Sequence, residues 1–378
     1  MKLDLEPGPL RGVSHVLKKI PGAILGGSTA KGTHLKGDFD IDIFVTYPKG
    51  TKNIADKLER TLQQHFTNVR RVHGSRDYFQ FERGKYTYEV VPVIAITKAS
   101  EAENVTDVSP LHVTYVKQHM TKHLANDIRL TKQFCKAAKV YGAESYIGGF
   151  SGHVLDLLNI HYGGFKKVIS AAATWKQKVV LDIEQHRTKL NAEKTQSPLI
   201  IIDPVQPNRN SAAALTKEKY DVFKAAASAY LKKPSSTFFQ IKPLTKKGMR
   251  GRILHVELTP LQGKKDVVGA KCQKVYEYCK RELTPFTLIE SKWEFTDTAT
   301  LLYSVQPGLL AAVHTITGPP TNMKKDVARF KKKHTNTFTR NGKLYAKEQR
   351  TYRDAKVFLQ HILKKKYITS RVQKAILH

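Results

Sequence analysis

The chain has 378 residues, with 64 Lys and Arg against 32 Asp and Glu for a formal charge of +32, and it is 40% hydrophobic and 9% aromatic. That length holds two or three domains, and the apolar and aromatic content excludes wholesale disorder. No apolar run approaches the roughly 20 residues that cross a bilayer, which excludes an integral membrane protein. The N-terminal Met-Lys-Leu-Asp-Leu-Glu-Pro-Gly has neither a signal-peptide core nor an Arg/Ser-rich presequence, so a cytoplasmic location is expected. Cys135, Cys272 and Cys279 have no paired spacing, which points to buried, reduced thiols rather than a disulfide framework or a zinc site. So large a positive excess concentrates polyanions, making nucleic acid the leading partner, with a generally basic or salt-adapted surface as the plain alternative.

In chain order, a short helix is expected over 14–20, then strand, Gly-rich turn and strand over 22–47, then an amphipathic helix over 54–65. The β-rich runs 78–82 and 85–96, separated by Arg83-Gly84, predict an antiparallel hairpin. Residues 1–110 therefore read as a small mixed sheet crossed by a helix. From 111 to about 189 the period is mostly helical, punctuated by Gly142, Gly149, Gly152, Gly163 and Gly164. A short buried strand is expected over 199–202, stopped by Asp203-Pro204, and a helix over 216–233 closes a second domain spanning 111–233.

The third region, 234–378, predicts strand, helix, strand and strand over 252–258, 267–283, 286–295 and 299–305. It ends in a strongly basic stretch carrying Lys324-Lys325, Lys331-Lys332-Lys333 and Lys364-Lys365-Lys366, interleaved with Phe330, Phe338, Tyr345, Tyr352 and Phe358. Such a mixture suits an RNA-facing surface. The expected class is α+β and multidomain: an N-terminal mixed sheet, a mostly helical centre and a C-terminal α+β region.

Chemistry concentrates in Gly26-Gly27-Ser28-Thr29-Ala30-Lys31-Gly32-Thr33, followed by Asp38-Phe39-Asp40-Ile41-Asp42-Ile43-Phe44-Val45. Glycines and a hydroxyl before a helical turn expose backbone N–H groups to phosphate oxygens, and Ser28 and Lys31 add side-chain donors. Asp40 and Asp42, two apart on a strand, share a face. Carboxylates that close repel, and a divalent cation neutralises them; hard Mg²⁺, shared with substrate phosphates, suits oxygen ligands. A third acid is expected from a neighbouring strand, and Glu89 stands in the otherwise apolar Tyr88-Glu89-Val90-Val91-Pro92-Val93. An exposed edge charge is its bland alternative. Phosphoryl or nucleotidyl transfer is the chemistry this pattern suggests. His119 and His123, four apart, could share a helix face, but without a Glu after the first His they read as solvated surface rather than a metalloprotease motif.

Gly-Gly-Ser, the Asp-x-Asp strand and the acid before Val-Val-Pro resemble the polymerase-β-like nucleotidyltransferase superfamily, and more closely the archaeal, class I CCA-adding enzymes. The likeness continues in order through Ser109-Pro110-Leu111-His112, Arg129 to Lys132, Tyr141-Gly142-Ala143-Glu144, Gly149-Phe150-Ser151-Gly152 and Asp203-Pro204-Val205 through Arg209-Asn210, and covers most of the chain. No Arg-Arg-Asp block like that of the bacterial and eukaryotic class is present.

This resemblance implies a palm-like catalytic head over 1–110, a nucleotide-selecting domain over 111–233 and a tRNA-binding body and tail over 234–378. It implies Asp40, Asp42 and Glu89 as ligands of two Mg²⁺ ions, with Glu89 or its neighbour in reach of the primer 3′-hydroxyl. Ser28, Lys31, Lys132 and Tyr141 would contact the triphosphate, His112 would lie near the nucleotide, and Arg209 would read the incoming base. On residue chemistry alone, Lys132 and Tyr141 are also ordinary features of a helix surface and a helix end, and His112 an ordinary structural histidine. The implied substrates are CTP, ATP and the acceptor end of tRNA, with no membrane partner; a homodimer is left open. Relative to the family pattern, Asp40 and Glu89 exchange Glu and Asp, Lys31 replaces Arg, and Gly148 stands in place of a basic residue. A poly(A) or oligoadenylate synthetase, or a catalytically silent RNA-binding protein on the same fold, are the competing expectations.

Overall fold

The computed structural model describes residues 12–37 and 40–378; Asp38 and Phe39 of the acid-bearing motif, and the N-terminal octapeptide, lie outside them. The chain divides into two compact units, parting between Lys242 and Pro243.

The first unit opens with α1 (Val13–Lys18), β1 (Ala23–Leu25), α2 (Gly27–Ala30), β2 (Asp40–Tyr47), α3 (Ile54–His65), β3 (Arg70–Val72), β4 (Tyr78–Arg83) and β5 (Tyr86–Ile94). The strands form one mixed sheet in the order β1-β2-β5-β4-β3, in which only β2 and β5 run parallel. Alternation decides the faces: Ile41, Ile43 and Val45 of β2 join Tyr86, Tyr88 and Val90 of β5, Phe79 and Phe81 of β4, and Leu58 and Leu62 of α3 in one buried cluster. The intervening residues, Asp40, Asp42 and Glu89, are thereby sent to the opposite face. The helix expected over 54–65 forms over that same span, with Ile54, Leu58 and Leu62 buried at four-residue intervals. The Gly-rich turn contains a single helical turn, α2, which starts within the glycines and includes Ser28.

The unit continues with α4 (Ser109–Gln118), α5 (Lys122–Ala137), α6 (Gly152–Tyr162), α7 (Phe165–Thr174), β6 (Val179–Asp182), β7 (Leu199–Ile202) and α8 (Lys217–Lys232). Their core gathers Phe134, Phe150, Leu155, Leu158, Phe165, Ile169, Trp175, Tyr220 and Phe223. The helical reading of 111–189 fails at its end: Val179–Asp182 is a strand, paired in parallel with Leu199–Ile202. His119 and His123 are both exposed and sit on opposite sides of the break between α4 and α5, so no shared helix face forms. Gly149 is a position of close backbone approach, since a Cβ there would lie 2.1 Å from the Val140 carbonyl oxygen.

The second unit comprises β8 (Arg252–Pro260), α9 (Lys265–Glu282), β9 (Leu288–Phe295), β10 (Ala299–Val305), β11 (Val313–Pro320), α10 (Lys324–Lys333), β12 (Thr337–Arg340), β13 (Lys343–Gln349), α11 (Ala355–Leu363), α12 (Lys366–Thr369) and β14 (Val372–Leu377). An antiparallel sheet β14-β8-β10-β9 packs Leu254, Val256, Leu301 and Tyr303 against Val275 and Cys279 of α9 and Leu359 and Ile362 of α11. A smaller sheet, β11-β13-β12, accompanies α10, a helix that buries none of its own residues and ends in Lys331, Lys332 and Lys333. The basic stretch is therefore folded. All three cysteines are buried and free, and burial pushes the Cys279 thiol up to about 12. No helix among the described residues is long and apolar enough to cross a membrane.

Candidate active site

Parallel pairing of β2 with β5 places Asp42 directly opposite Glu89 and Asp40 opposite Thr87. The acids expected to converge thus occupy neighbouring positions on one face of the sheet. Asp42 is raised to about 6, first by burial, then by the charges of Glu89 and Asp40, against the lowering pull of Lys31 and Lys132. Glu89 Oε1 accepts a hydrogen bond of 2.6 Å from Gln80 Nε2, its register partner on β4. Gln80 escaped sequence reasoning because only the antiparallel register brings it there.

The turn before β2 closes down on Asp42. Gly26 N–H donates to the Asp42 carbonyl at 2.8 Å, and Thr33 N–H to the Ser28 carbonyl at 2.9 Å, which fixes the half-buried Ser28 on α2. Gly27 has a φ of 55°, and a Cβ there would fall 1.6 Å from Asp42 Oδ2. Only glycine lets the main chain lie against that carboxylate.

Beyond the turn, Lys31 Nζ meets Asp156 Oδ2 at 2.5 Å, and Asp156 is fully buried on α6. Lys132 is 2% exposed, unlike the helix-surface lysine that is its plain alternative: its side chain runs inward from α5, donating to Thr33 Oγ1 at 2.9 Å and Thr33 O at 3.1 Å, 3.8 Å from Asp156 Oδ1. Arg129, one turn earlier on α5, donates to the Gly32 carbonyl at 2.6 Å. Tyr141 forms a β-bridge with Phe150. Its hydroxyl would lie 3.3 Å, and Lys132 Nζ 3.8 Å, from a methyl on Gly152 at the start of α6, so both reach the same spot.

His112 and Arg209 converge on an acid outside the expected set. Asp203 is fully buried and accepts from His112 Nε2 at 2.9 Å, from the N–H groups of Val205 and Gln206 at 3.0 Å and from Ser211 Oγ at 2.9 Å, with Arg209 Nη1 at 3.8 Å. Burial would raise its pKa, but the His112 hydrogen bond and charge, His153 and the Gln206 N–H outweigh that and hold it well below the usual carboxylate range. The rings of His112 and His153 stand 4.6 Å apart, and burial, helped by His112, pushes His153 down to about 3. His153 feels the charges of Lys31 and Asp156 as well as those of His112 and Asp203, so it stands between the two groups of side chains.

Three family models match in order along the chain: a nucleotidyltransferase domain over 13–118, the second domain of tRNA nucleotidyltransferase over 126–240, and the C-terminal domain of CCA-adding enzyme over 273–377. The CCA-adding enzyme of Nanoarchaeum equitans is 35% identical over 89% of this chain and 87% of its own. This chain belongs to the CCA-adding enzyme family. The relative from Sulfolobus acidocaldarius is 31% identical over 89% of this chain and 82% of its own. Among solved structures, a cytoplasmic RNA terminal U-transferase shares the fold with a TM-score of 0.50 at 12% identity, covering 64% of this chain and 96% of that one. The α+β, multidomain expectation agrees with these matches.

Within this member of the family, the group of His, Cys, Asp or Glu side chains whose ligand atoms all lie within 4.8 Å of one another, among the described residues, is His112, His153 and Asp203. That group could hold a divalent cation. Both Asp203 oxygens, however, already accept protein hydrogen bonds, which fits an anchor for the surrounding loop as well as a ligand.

Proposed function

We propose that this chain extends the 3′ end of tRNA by C, C and A without a template, using CTP and ATP. The observation that carries the reading is the strand register that sets Asp42 opposite Glu89, in the field of Asp40, beneath a glycine turn flanked by Lys31. In this reading the tRNA 3′-oxygen attacks the α-phosphorus of the nucleotide, the α–β phosphoanhydride bond breaks, and pyrophosphate leaves. Ser28, Lys31, Lys132 and Tyr141 hold the triphosphate, so that the scissile bond lies over the acids. His112 and Arg209, tied to Asp203, lie toward the base, and the planar guanidinium of Arg209 suits a base edge.

Asp40, Asp42 and Glu89 would hold the metal. The fit rests on chemistry: an all-oxygen set whose mutual charge raises Asp42 is one that a hard cation such as Mg²⁺ relieves. Bound there, Mg²⁺ would lower the hydroxyl's pKa and neutralise charge on the departing pyrophosphate. In this reading Glu89, held by Gln80, or the neighbouring Asp42 takes up the proton of the attacking hydroxyl. Residues 1–110 would perform the chemistry, 111–233 would choose the nucleotide, and 234–378 would grip acceptor stem and elbow through phosphates.

The test incubates purified protein with tRNA lacking its CCA end, Mg²⁺ and each nucleotide singly. Incorporation from CTP, followed by one A when ATP is added, is expected. Incorporation from ATP alone would identify a poly(A)-type polymerase, and tRNA binding without incorporation a silent RNA-binding protein.

A further inference from the structure

A lysine is a point charge on a flexible four-carbon stem, and holding its ammonium in one place costs about 2 kcal/mol of rotamer entropy unless something fixes it. Lys31 and Lys132 come from the turn and from α5, yet both ammoniums face the same carboxylate, that of Asp156 on α6. Lys31 gives Asp156 Oδ2 one of its three N–H donors. Oδ1 faces Lys132 at 3.8 Å and, although fully buried, has no hydrogen-bond partner. For stability alone this is a poor arrangement: a buried carboxylate pairs usefully only when its lone pairs are satisfied, and one oxygen of Asp156 is not. Unrelieved cost of this kind is expected at a functional site, where a substrate completes the arrangement. Lys31 and Lys132 also lie close enough to Asp42 to lower its pKa, so the two ammonium groups sit next to the acids.

We propose that Asp156 is a positioning residue that holds the ammonium groups of Lys31 and Lys132 side by side, as a fixed cationic pair for the triphosphate of the incoming nucleotide. The inference rests on the reading of Lys31 and Lys132 as triphosphate contacts. Asp156 itself touches no substrate. The carboxylate keeps two like charges adjacent in the free protein, and phosphate oxygens add to the cluster when the nucleotide binds.

Asp156→Asn keeps the shape and removes the charge. Calorimetric titration with CTP and with CMP, in Mg²⁺, should show CTP affinity falling by about tenfold or more, the scale of one charge-assisted hydrogen bond, while CMP and tRNA binding stay within about twofold. The KM for CTP should rise more than kcat falls. In the Lys31→Ala/Asp156→Asn double variant the loss should be smaller than the product of the single losses, because one residue acts through the other. Equal losses for CTP and CMP, unchanged CTP affinity or multiplicative losses would each overturn the assignment. A second measurement needs no variant: in the native protein labelled with ¹⁵N at lysine Nζ, CTP and not CMP should shift two buried ammonium signals, and their indifference to CTP would also overturn it. Native protein that neither binds CTP nor extends tRNA would defeat the active-site reading; native protein that does both, beside an unaffected Asp156→Asn, would defeat only the role of Asp156.

Discussion

Asp42 and Asp203 are two acids withdrawn from water in the same unit, and their surroundings treat them in opposite ways. Asp203 accepts hydrogen bonds from His112, Ser211 and two backbone N–H groups, and its ionised form is favoured. Asp42 faces Glu89 and Asp40, and its ionised form is resisted up to about pH 6. The difference separates a charge the fold uses from a charge the fold tolerates. An acid satisfied by protein donors anchors a loop, whereas one crowded by its own kind awaits a partner from outside.

The sharpest way to break this contrast is Asp42→Ala, which should lower nucleotide addition by about a thousandfold or more while leaving tRNA affinity nearly intact. Parallel loss of folding would make Asp42 structural after all. Next in size, Asp203→Ala leaves Val205 N–H, Gln206 N–H, Ser211 and His112 without their acceptor, and should cost about 2–4 kcal/mol in urea unfolding. A change below about 0.5 kcal/mol, within the range of an ordinary surface substitution, would remove the distinction.

The two acids should also differ in sign with pH. Because the folded pKa of Asp42 lies above its unfolded value, its contribution is fully present below about pH 3.8 and lost as pH rises through about 6. With divalent cations chelated, Asp42→Asn should therefore stabilise the protein by about 1–3 kcal/mol near pH 8 and change little near pH 4, as read from denaturant midpoints. Asp203 has a depressed folded pKa, so its contribution is present above its unfolded pKa and lost toward lower pH. Smallest in energy is a control on solvated charge: replacing Lys331, Lys332 and Lys333 of α10 by Ser should leave the KM for CTP alone. It should lower the salt slope of tRNA binding by about 0.7–0.9 log units for each phosphate that these lysines neutralise. A flat salt dependence in the native protein would remove that stretch from the RNA-binding surface.

Much of the head was legible because period and burial agree there. The four-residue spacing of Ile54, Leu58 and Leu62 defines α3, and the alternation around Ile41 and Ile43 leaves Asp40 and Asp42 only the other face. Val179–Asp182 was missed because a four-residue strand is established by its partner, Leu199–Ile202, rather than by its own pattern. The burial of Lys132 was not legible, because a long polar side chain on a helix usually snorkels outward, whereas here it turns inward to Thr33 and Asp156. Asp156 did leave a signal: an acid inside Val154-Leu155-Asp156-Leu157-Leu158 is the same anomaly that singled out Glu89. Gln80 and the convergence of His112 on Asp203 left none, since each depends on pairings between distant stretches.

Parallel neighbours cannot be joined by a tight hairpin, so β2 reaches β5 only after α3, β3 and β4 have intervened. On a growing polypeptide the first aspartates therefore leave the ribosome well before the glutamate that will oppose them. The electrostatic clash can therefore arise only once β5 has been made, and the same pairing buries Ile41, Ile43 and Val90, whose transfer out of water offsets it.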